Sequence, residues 1–182
     1  HYPTAFFRVR GTLVGENTGW DEIQIVHMSS RAGFEASRQA IALARQTRPN
    51  DIVFGCVTGG SSALMPFPVD GTTLEEKKEV NRLLLTCGAN IYEINAVRKH
   101  TSGIKGGRLT LAANPARIVS LILSDVVGDD LDVIASGPTA PDPTTFAGAW
   151  DVLERYDLVG RVPQTVRDLL QAGVQGQRPD TP

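Results

Sequence analysis

Several features that mark membrane, secreted or nucleic-acid-binding proteins are scarce in this 182-residue sequence. Its two cysteines, Cys56 and Cys87, lie in apolar surroundings and lack the spacing of a metal site, so we expect two buried thiols and no disulfide. No apolar run approaches the roughly 20 residues that cross a bilayer, and the N-terminus has no basic segment followed by an apolar one. With 18 basic and 20 acidic residues, the chain has no excess positive charge to attract nucleic acid or an anionic membrane. These absences predict a cytoplasmic protein that binds neither nucleic acid nor a membrane.

The composition is that of a soluble globular domain, with 41% hydrophobic and 21% charged residues. A chain of this length can bury one core of ordinary size, so a single domain is expected over residues 1–172. Residues 173–182 are polar and contain glycine and proline, a composition that predicts a flexible tail.

Patterns typical of strands and of helices alternate along the chain. Short apolar runs at residues 23–26, 52–57 and 118–123 have the length of strands, and the run at 52–57 is typical of a parallel strand covered on both faces. Apolar residues recur at helical spacing in residues 34–44, 73–88, 90–97 and 146–153. Thr73 with Glu76 predicts a capping box, and Asn90 predicts a second helix cap. The alternation indicates an α/β fold, with a mostly parallel sheet flanked by helices on both faces.

A loop of small residues follows the strand predicted at 52–57. It consists of Thr58, Gly59, Gly60, Ser61 and Ser62. Open α/β sheets bind ligands at the carboxyl ends of their strands, and glycine lets backbone N–H groups approach an anion. The loop is therefore a candidate anion site, and the alternative is a turn with a purely structural role. It is not a Walker A loop, and the chain has no dinucleotide-binding fingerprint.

Residues 94–124 contain no acidic side chain but carry five cations: Arg98, Lys99, Lys105, Arg108 and Arg117. On the predicted helix, Asn95, Arg98 and Lys99 are three or four residues apart, so we expect them to leave one side and converge on one ligand. The glycine pair between Lys105 and Arg108 predicts either a helix stop or a second phosphate clamp. His100 is interpreted as a surface or capping residue in preference to a base.

Residues 125–154 reverse this pattern, with several aspartates and neither lysine nor arginine. Asp125 follows the predicted strand 118–123, so we expect it to enter the same crevice as the glycine loop. Ser136 and Gly137 form part of a turn that offers further oxygens. Cations suit phosphate groups and carboxylates suit Mg²⁺, whereas the alternative is two solvated charged faces that balance each other.

Three segments of the chain resemble the glycerate 2-kinase family, of the MOFRL and DUF4147 type. They are TGGSSALMPFPVDG, NAVRKHTSGIKGGRL and SDVVGDDLDVIASGPTAPDPTTF, and the resemblance covers about residues 51–156. Members of this family are often labelled hydroxypyruvate reductase. The resemblance implies a three-layer Rossmann-like domain within a cytoplasmic two-domain enzyme. Such an enzyme phosphorylates D-glycerate to 2-phosphoglycerate with ATP and Mg²⁺.

The sequence also departs from that family. It contains neither the family's Gly-Lys block nor its C-terminal domain, and it has two glycines before Ser61 where relatives have three. Residues 27–31 read His-Met-Ser-Ser-Arg where relatives have a His-Pro-rich turn. We therefore expect a part of the N-terminal domain, inactive by itself, from a protein that forms a homodimer.

The residues discussed above receive roles from this resemblance. Lys105 and Asp125 are the predicted catalytic residues, and Asp125 with Asp129 is predicted to hold Mg²⁺. The residues predicted to bind substrate or nucleotide are Gly59, Gly60, Ser61, Ser62, Asn95, Arg98, Lys99, Ser136 and Gly137. Two alternatives are a hydroxypyruvate reductase that uses NAD(P)H and a ligand-binding relative without activity. The lack of a dinucleotide fingerprint counts against the reductase.

Overall fold

The computed structural model describes residues 31–58, 60–124 and 126–182, together with the backbone of two short strands that pair antiparallel, Ala5–Phe6 (β1) and Gln24–Ile25 (β2). The helices are α1 (Arg31–Ala44), α2 (Ser61–Leu64), α3 (Leu74–Thr86), α4 (Ile91–His100), α5 (Arg108–Ala113), α6 (Phe146–Arg155) and α7 (Gln164–Val174). Two longer strands, β3 (Ile52–Thr58) and β4 (Arg117–Leu123), complete the fold with a 3₁₀ turn at Ile134–Ser136. Among these residues, no helix is both long and apolar enough to cross a membrane.

Strands β3 and β4 form a parallel pair, in register from Ile52 opposite Arg117 to Thr58 opposite Leu123. Parallel strands need a crossover connection, and here it contains α2 to α5. On the inner face of the pair, Val57 packs into a core with Ile41 of α1 and with Ile104. The structure confirms the predicted α/β class, with a parallel sheet flanked by helices.

The outer face of the same pair is exposed in the part of the chain that the structure describes. Successive strand residues point to opposite faces, so Ile52 and Phe54 leave the side opposite Val57 and are 57% and 63% exposed. The prediction that this strand is covered on both faces is therefore wrong for the described residues.

The two thiols differ in exposure. Cys56 lies on the outer face and is exposed, which corrects the prediction of two buried thiols. Cys87 is half-buried, and both thiols are free.

Helices α3, α4, α6 and α7 build a second core beside the sheet. The side chains of Leu84, Val97, Leu153 and Leu170 are completely buried in it, one from each helix. The predicted caps are confirmed, since Thr73 forms a capping box with Glu76, and Asn90 forms another with Glu93. These caps fix where α3 and α4 begin and so position the side chains of α4 described below.

The last three residues make definite contacts with the loop before α6. The backbone N–H of Phe146 donates to Asp180 Oδ1 at 2.6 Å, and that of Asp142 donates to the carbonyl oxygen of Pro182 at 2.7 Å. Thr181 is buried, and its hydroxyl donates to Asp142 Oδ2 at 2.5 Å. The flexible tail stays a prediction, and these contacts argue against it for residues 180–182.

Candidate functional site

The loop after β3 turns directly into a short helix. Gly60 has a φ of +83°, in the left-handed region that favours glycine, and it precedes the four-residue helix α2. The hydroxyl of Ser61 is buried and donates to the carbonyl oxygen of Thr58 at 2.5 Å. Ser62 follows and reaches toward the turn after β4. Gly59, which was predicted to bind an anion in this loop, lies outside the described residues.

Lys105 lies beside this loop and is almost completely buried, with 1% of its surface exposed. Its Nζ donates to the carbonyl oxygen of Ser62 at 2.6 Å and to the Ser62 hydroxyl at 2.8 Å. Longer contacts of 3.4 Å reach the carbonyl oxygen of Ala135 and the hydroxyl of Ser136. Burial lowers the pKa of Lys105 well below its ordinary value, and the charges of Lys77 and Arg98 lower it further. Lys105 thus binds neutral oxygens from both loops.

The directions of the hydrogen bonds between Lys105, Ser62, Ser136 and Asn95 follow from counting the protons that each group can donate. Asn95 donates from Nδ2 to the carbonyl oxygen of Val133 at 3.3 Å, which leaves its Oδ1 to accept from the Ser136 hydroxyl at 2.9 Å. The single proton of Ser136 is then used, so Ser62 must donate across the 2.7 Å between the two hydroxyl oxygens. Lys105 in turn donates to Ser62. An ordered chain therefore runs from Lys105 through Ser62 and Ser136 to Asn95.

We call Ser62, Asn95, Lys105 and Ser136 the amine–hydroxyl cluster. All four were predicted from the sequence as site residues, and the structure brings them together. They come from α2, α4, the loop before α5 and the 3₁₀ turn after β4. The cluster lies where the carboxyl ends of β3 and β4 meet, the edge at which open parallel sheets bind ligands.

The turn that carries Ser136 is held in a strained conformation. Ala135 and Ser136 have φ values of +55° and +61°, in the left-handed region that side chains rarely adopt. Gly137 follows at +58°, and a Cβ there would lie 2.9 Å from Asp132 Cα, so a side chain is excluded. Strain of this kind persists only when the surrounding structure imposes it, and it is found at binding and active sites.

The loop before α5 holds that turn in place through its backbone. Gly106 donates to the carbonyl oxygen of Ser136 at 3.0 Å, and Gly107 donates to that of Gly137 at 2.7 Å. Gly107 has a φ of +74° and forms the N-terminal boundary of α5. The prediction of a helix stop at this glycine pair is therefore wrong, because a helix begins here. Helix α5 was not predicted, because its six residues are too few for a clear periodic pattern.

A second buried lysine, Lys99, is bound by carboxylates. Its Nζ lies 2.8 Å from Asp132 Oδ2 and 3.0 Å from Asp142 Oδ1. Burial raises the pKa of Asp142, but hydrogen bonds from Thr181 and Thr144, with the Lys99 charge, lower it by more. The charged form of Asp142 is therefore favoured, and it accepts a hydrogen bond from Lys99. The arrangement does not support the prediction that Lys99 binds an anionic ligand.

The three polar residues predicted to converge on α4 point to different partners. Asn95 and Lys99, four residues apart, both face the segment 132–142, as their spacing predicts. Arg98 leaves on another side and donates from Nε to Asn81 Oδ1 on α3, at 3.0 Å. A helix turns by about 100° per residue, so Arg98 and its neighbour Lys99 cannot face the same partner. The predicted convergence is therefore wrong for Arg98.

The predicted metal ligands are not gathered in the described structure. Asp125 lies outside the described residues, and Asp129 is an exposed turn residue with a φ of +55°. Asp130, next to it, accepts a hydrogen bond from the Tyr92 hydroxyl at 2.9 Å. Within the described ranges, no three metal-ligating side chains lie close enough to hold an ion. The prediction of Asp125 and Asp129 as Mg²⁺ ligands stays a prediction.

The fold and the cluster together define an α/β domain with a polar site at the carboxyl ends of two parallel strands. The chain belongs to the family described as "Domain of unknown function (DUF4147)", whose sequence profile matches residues 23–171. This stretch contains all four members of the amine–hydroxyl cluster.

Proteins similar to this chain bear kinase and reductase names. A glycerate 2-kinase of Pyrococcus horikoshii is 48% identical over 145 residues, which are 80% of this chain and 33% of that protein. A protein of Agrobacterium vitis with the provisional name hydroxypyruvate reductase is 48% identical over 139 residues, 76% of this chain and 36% of that protein. The crystal structure of a glycerate kinase from Thermotoga maritima is similar with a TM-score of 0.75 and 40% identity, over 84% of this chain and 35% of that one. The chain thus spans about a third of the length of these relatives.

Proposed function

We propose that the protein containing this chain is a glycerate 2-kinase, which transfers a phosphoryl group from ATP to D-glycerate and yields 2-phosphoglycerate. The observation that carries this proposal is that the stretch matched by the family profile builds the amine–hydroxyl cluster at a ligand-binding edge of the sheet. The cytoplasmic location and the homodimer stay predictions.

In this proposal the glycine loop contacts the anionic groups of the substrates. The N–H groups of Gly60 and Ser61 would hold a phosphate group or the glycerate carboxylate. Phosphoryl transfer demands positioning and charge neutralisation more than covalent chemistry by the protein. A loop with fixed donors meets that demand.

Lys105 contacts the glycine loop from the protein interior. Because its Nζ is buried and bound to oxygens of two loops, it fixes the position of Ser62 relative to Ser136. We therefore assign to Lys105 the role of orienting the Ser62 hydroxyl and the start of α2.

Mg²⁺ would supply charge neutralisation between the phosphate groups of ATP when bound. Carboxylates suit this ion, but Asp129 is solvent-exposed, and no three metal-ligating side chains gather among the residues that the structure describes. The described residues alone do not fit the ion, so we derive no step of the reaction through it.

The proposal is tested with the full-length protein by an assay of ADP formation from glycerate and ATP. Lys105→Met should lower kcat/KM by about 100-fold, because a small displacement of a substrate-positioning group has a cost of this order. Lys78→Met is the matched control, since Lys78 is a partly exposed lysine on α3 that pairs with Glu75 at 2.8 Å. Its turnover should equal that of the parent protein.

One result would contradict the role given to Lys105, and another would contradict the kinase activity. Turnover of Lys105→Met within about twofold of the parent would remove Lys105 from the site. Oxidation of NADH with hydroxypyruvate, without ADP formation from glycerate, would replace the kinase by the reductase. Circular dichroism of each variant shows whether a loss of activity reflects a loss of fold.

A further inference from the structure

A group of cationic side chains near the loop between α4 and α5 has no carboxylate partner among the described residues. Lys77, Arg98 and Arg108 form no ion pair there, although several other cations of the described chain do. Lys77 is only 3% exposed, and its Nζ donates to the carbonyl oxygen and the hydroxyl of Thr101, at 3.2 and 3.4 Å. Burying a charge without an opposite charge is costly, so a group of this kind favours an anion nearby.

A cavity of about 180 Å³ adjoins one member of this group, Arg108. The residues that line it include Val69, His100, Arg108, Phe146, Leu169 and Arg178. Arg108 donates from Nη1 to the carbonyl oxygen of Ser102 at 2.7 Å, and a guanidinium has five N–H donors, so most of them remain for a ligand. Arg178 reaches the same cavity from the segment after α7 and is exposed. Two arginines from distant parts of the chain thus line one small cavity.

Lys77 does not line this cavity, but it is linked to a lining residue through a shared carbonyl. The carbonyl oxygen of Thr101 accepts from Lys77 Nζ and also from the backbone N–H of Val69, a lining residue, at 3.4 Å. Burial, together with the charges of Arg98 and Arg108, lowers the pKa of Lys77 to about 7. An anion in the cavity would counter this effect and favour the charged form of Lys77.

The other charged groups near the cavity leave the positive charge in excess. Asp180 Oδ1 lies 3.4 Å from His100 Nε2 and already accepts from the backbone N–H of Phe146. His100 is completely buried, which corrects its interpretation as a surface residue, and burial lowers its pKa despite a hydrogen bond from Nδ1 to Ala96. Asp142, which lies near Arg108, is paired with Lys99.

We propose that this cavity is a binding site for a small oxyanion, namely a phosphate group, held by Arg108 and Arg178. Guanidinium groups bind phosphate oxygens through two parallel hydrogen bonds, and the cavity has room for such a group. The site does not include the amine–hydroxyl cluster, and the proposal does not rest on the kinase function. Free phosphate and a phosphate monoester share the chemistry that the site recognises.

The proposal is tested by calorimetric titration of the full-length protein with inorganic phosphate and, separately, with glycerol 2-phosphate. Sodium chloride of equal ionic strength is the reference. We expect saturable binding that raises the Tm, with the affinity lowered about tenfold in Arg178→Gln, where an exposed side chain is changed without harm to the core. Arg161→Gln, at another exposed arginine, is the control and should bind as the parent does.

Two further variants separate this site from the cluster. Arg108→Gln should weaken phosphate binding at least as much as Arg178→Gln, whereas Ser62→Ala should leave this binding unchanged even if it abolishes turnover. Binding of the monoester but not of free phosphate would identify an organic phosphate as the ligand. The proposal is overturned if neither phosphate gives more heat of binding or a higher Tm than sodium chloride does. It is also overturned if Arg178→Gln binds the phosphates with the affinity of the parent.

Discussion

Lys99 and Lys105 are near neighbours in the sequence and are equally buried, at 1% exposure each, yet their surroundings are opposite. Lys99 lies between the carboxylates of Asp132 and Asp142, whereas Lys105 binds hydroxyl and carbonyl oxygens. The first lysine completes a charge pair inside the fold. The second links two loops without a counter-charge among the described residues. Burial alone therefore does not reveal what a lysine does, and the charge of its partners does.

The largest difference between the two lysines should appear when each is replaced by methionine. Lys99→Met leaves Asp142, whose side chain is completely buried, without its cation, and should lower the free energy of unfolding by about 3 to 5 kcal/mol. Lys105→Met leaves only neutral partners and should cost about 1 to 3 kcal/mol. Urea unfolding measures both values. Equal losses would show that the carboxylates do not distinguish the two sites.

Partial recovery in a double variant would sharpen the same test. Adding Asp142→Asn to Lys99→Met removes the stranded charge, so the double variant should be more stable than Lys99→Met alone. A further loss would mean that Asp142 is held mainly by its threonine partners.

The second prediction concerns pH and uses Lys77, which resembles Lys105 in having no ion-pair partner among the described residues. Its pKa is lowered to about 7 in the folded protein, so between pH 7 and about 10 the unfolded chain binds more protons than the folded one. The free energy of unfolding should therefore rise with pH in this range. Lys77→Met should reduce the rise between pH 7 and 9 by about 2 kcal/mol.

Unfolding curves at pH 7, 8 and 9 check this prediction, and Lys78→Met is the control on the same helix. An unchanged slope in Lys77→Met would show that Lys77 keeps its proton in the folded protein.

The smallest expected effect concerns the support that the chain end gives to the Lys99 pair. Thr181→Val removes the hydroxyl that donates to Asp142 Oδ2 while keeping the shape of the side chain, and should cost about 1 kcal/mol. Thr165→Val, at an exposed position of α7, should cost less. Hydrogen exchange at the Asp142 amide, which donates to Pro182, should become faster in Thr181→Val. Unchanged exchange in both variants would favour the predicted flexible tail.

The sequence predicted most of the regular structure, because the longer elements carry local patterns. Helix α3 has a capping box and an apolar stripe, and β3 and β4 are continuous apolar runs. The missed helices α2 and α5 have four and six residues, which is too short for a period to appear. Helix α7 was also missed, because its apolar positions at 166, 169 and 170 follow a proline and are few.

The members of the amine–hydroxyl cluster could be predicted because strand ends and residue types identify them. Their partners could not, since the contact of Ser62 with Ser136 joins residues far apart in the sequence and depends on the left-handed turn at 135–137. The pairing of Lys99 with Asp142 escaped prediction for the same reason. A sequence does not show which residue a cation will contact in the fold. Lys99 and Arg98 were therefore both interpreted as ligand contacts.

The outer face of β3 and β4 has a practical consequence for preparing this segment. Phe54 lies opposite Val119 on the neighbouring strand, and Leu121 shares this face with them; the three are 63%, 40% and 56% exposed. An apolar strand surface of this kind drives self-association as the protein concentration rises. Purification of residues 1–182 alone would therefore call for dilute solutions or a solubilising fusion partner, and crystallisation trials should begin with the full-length polypeptide.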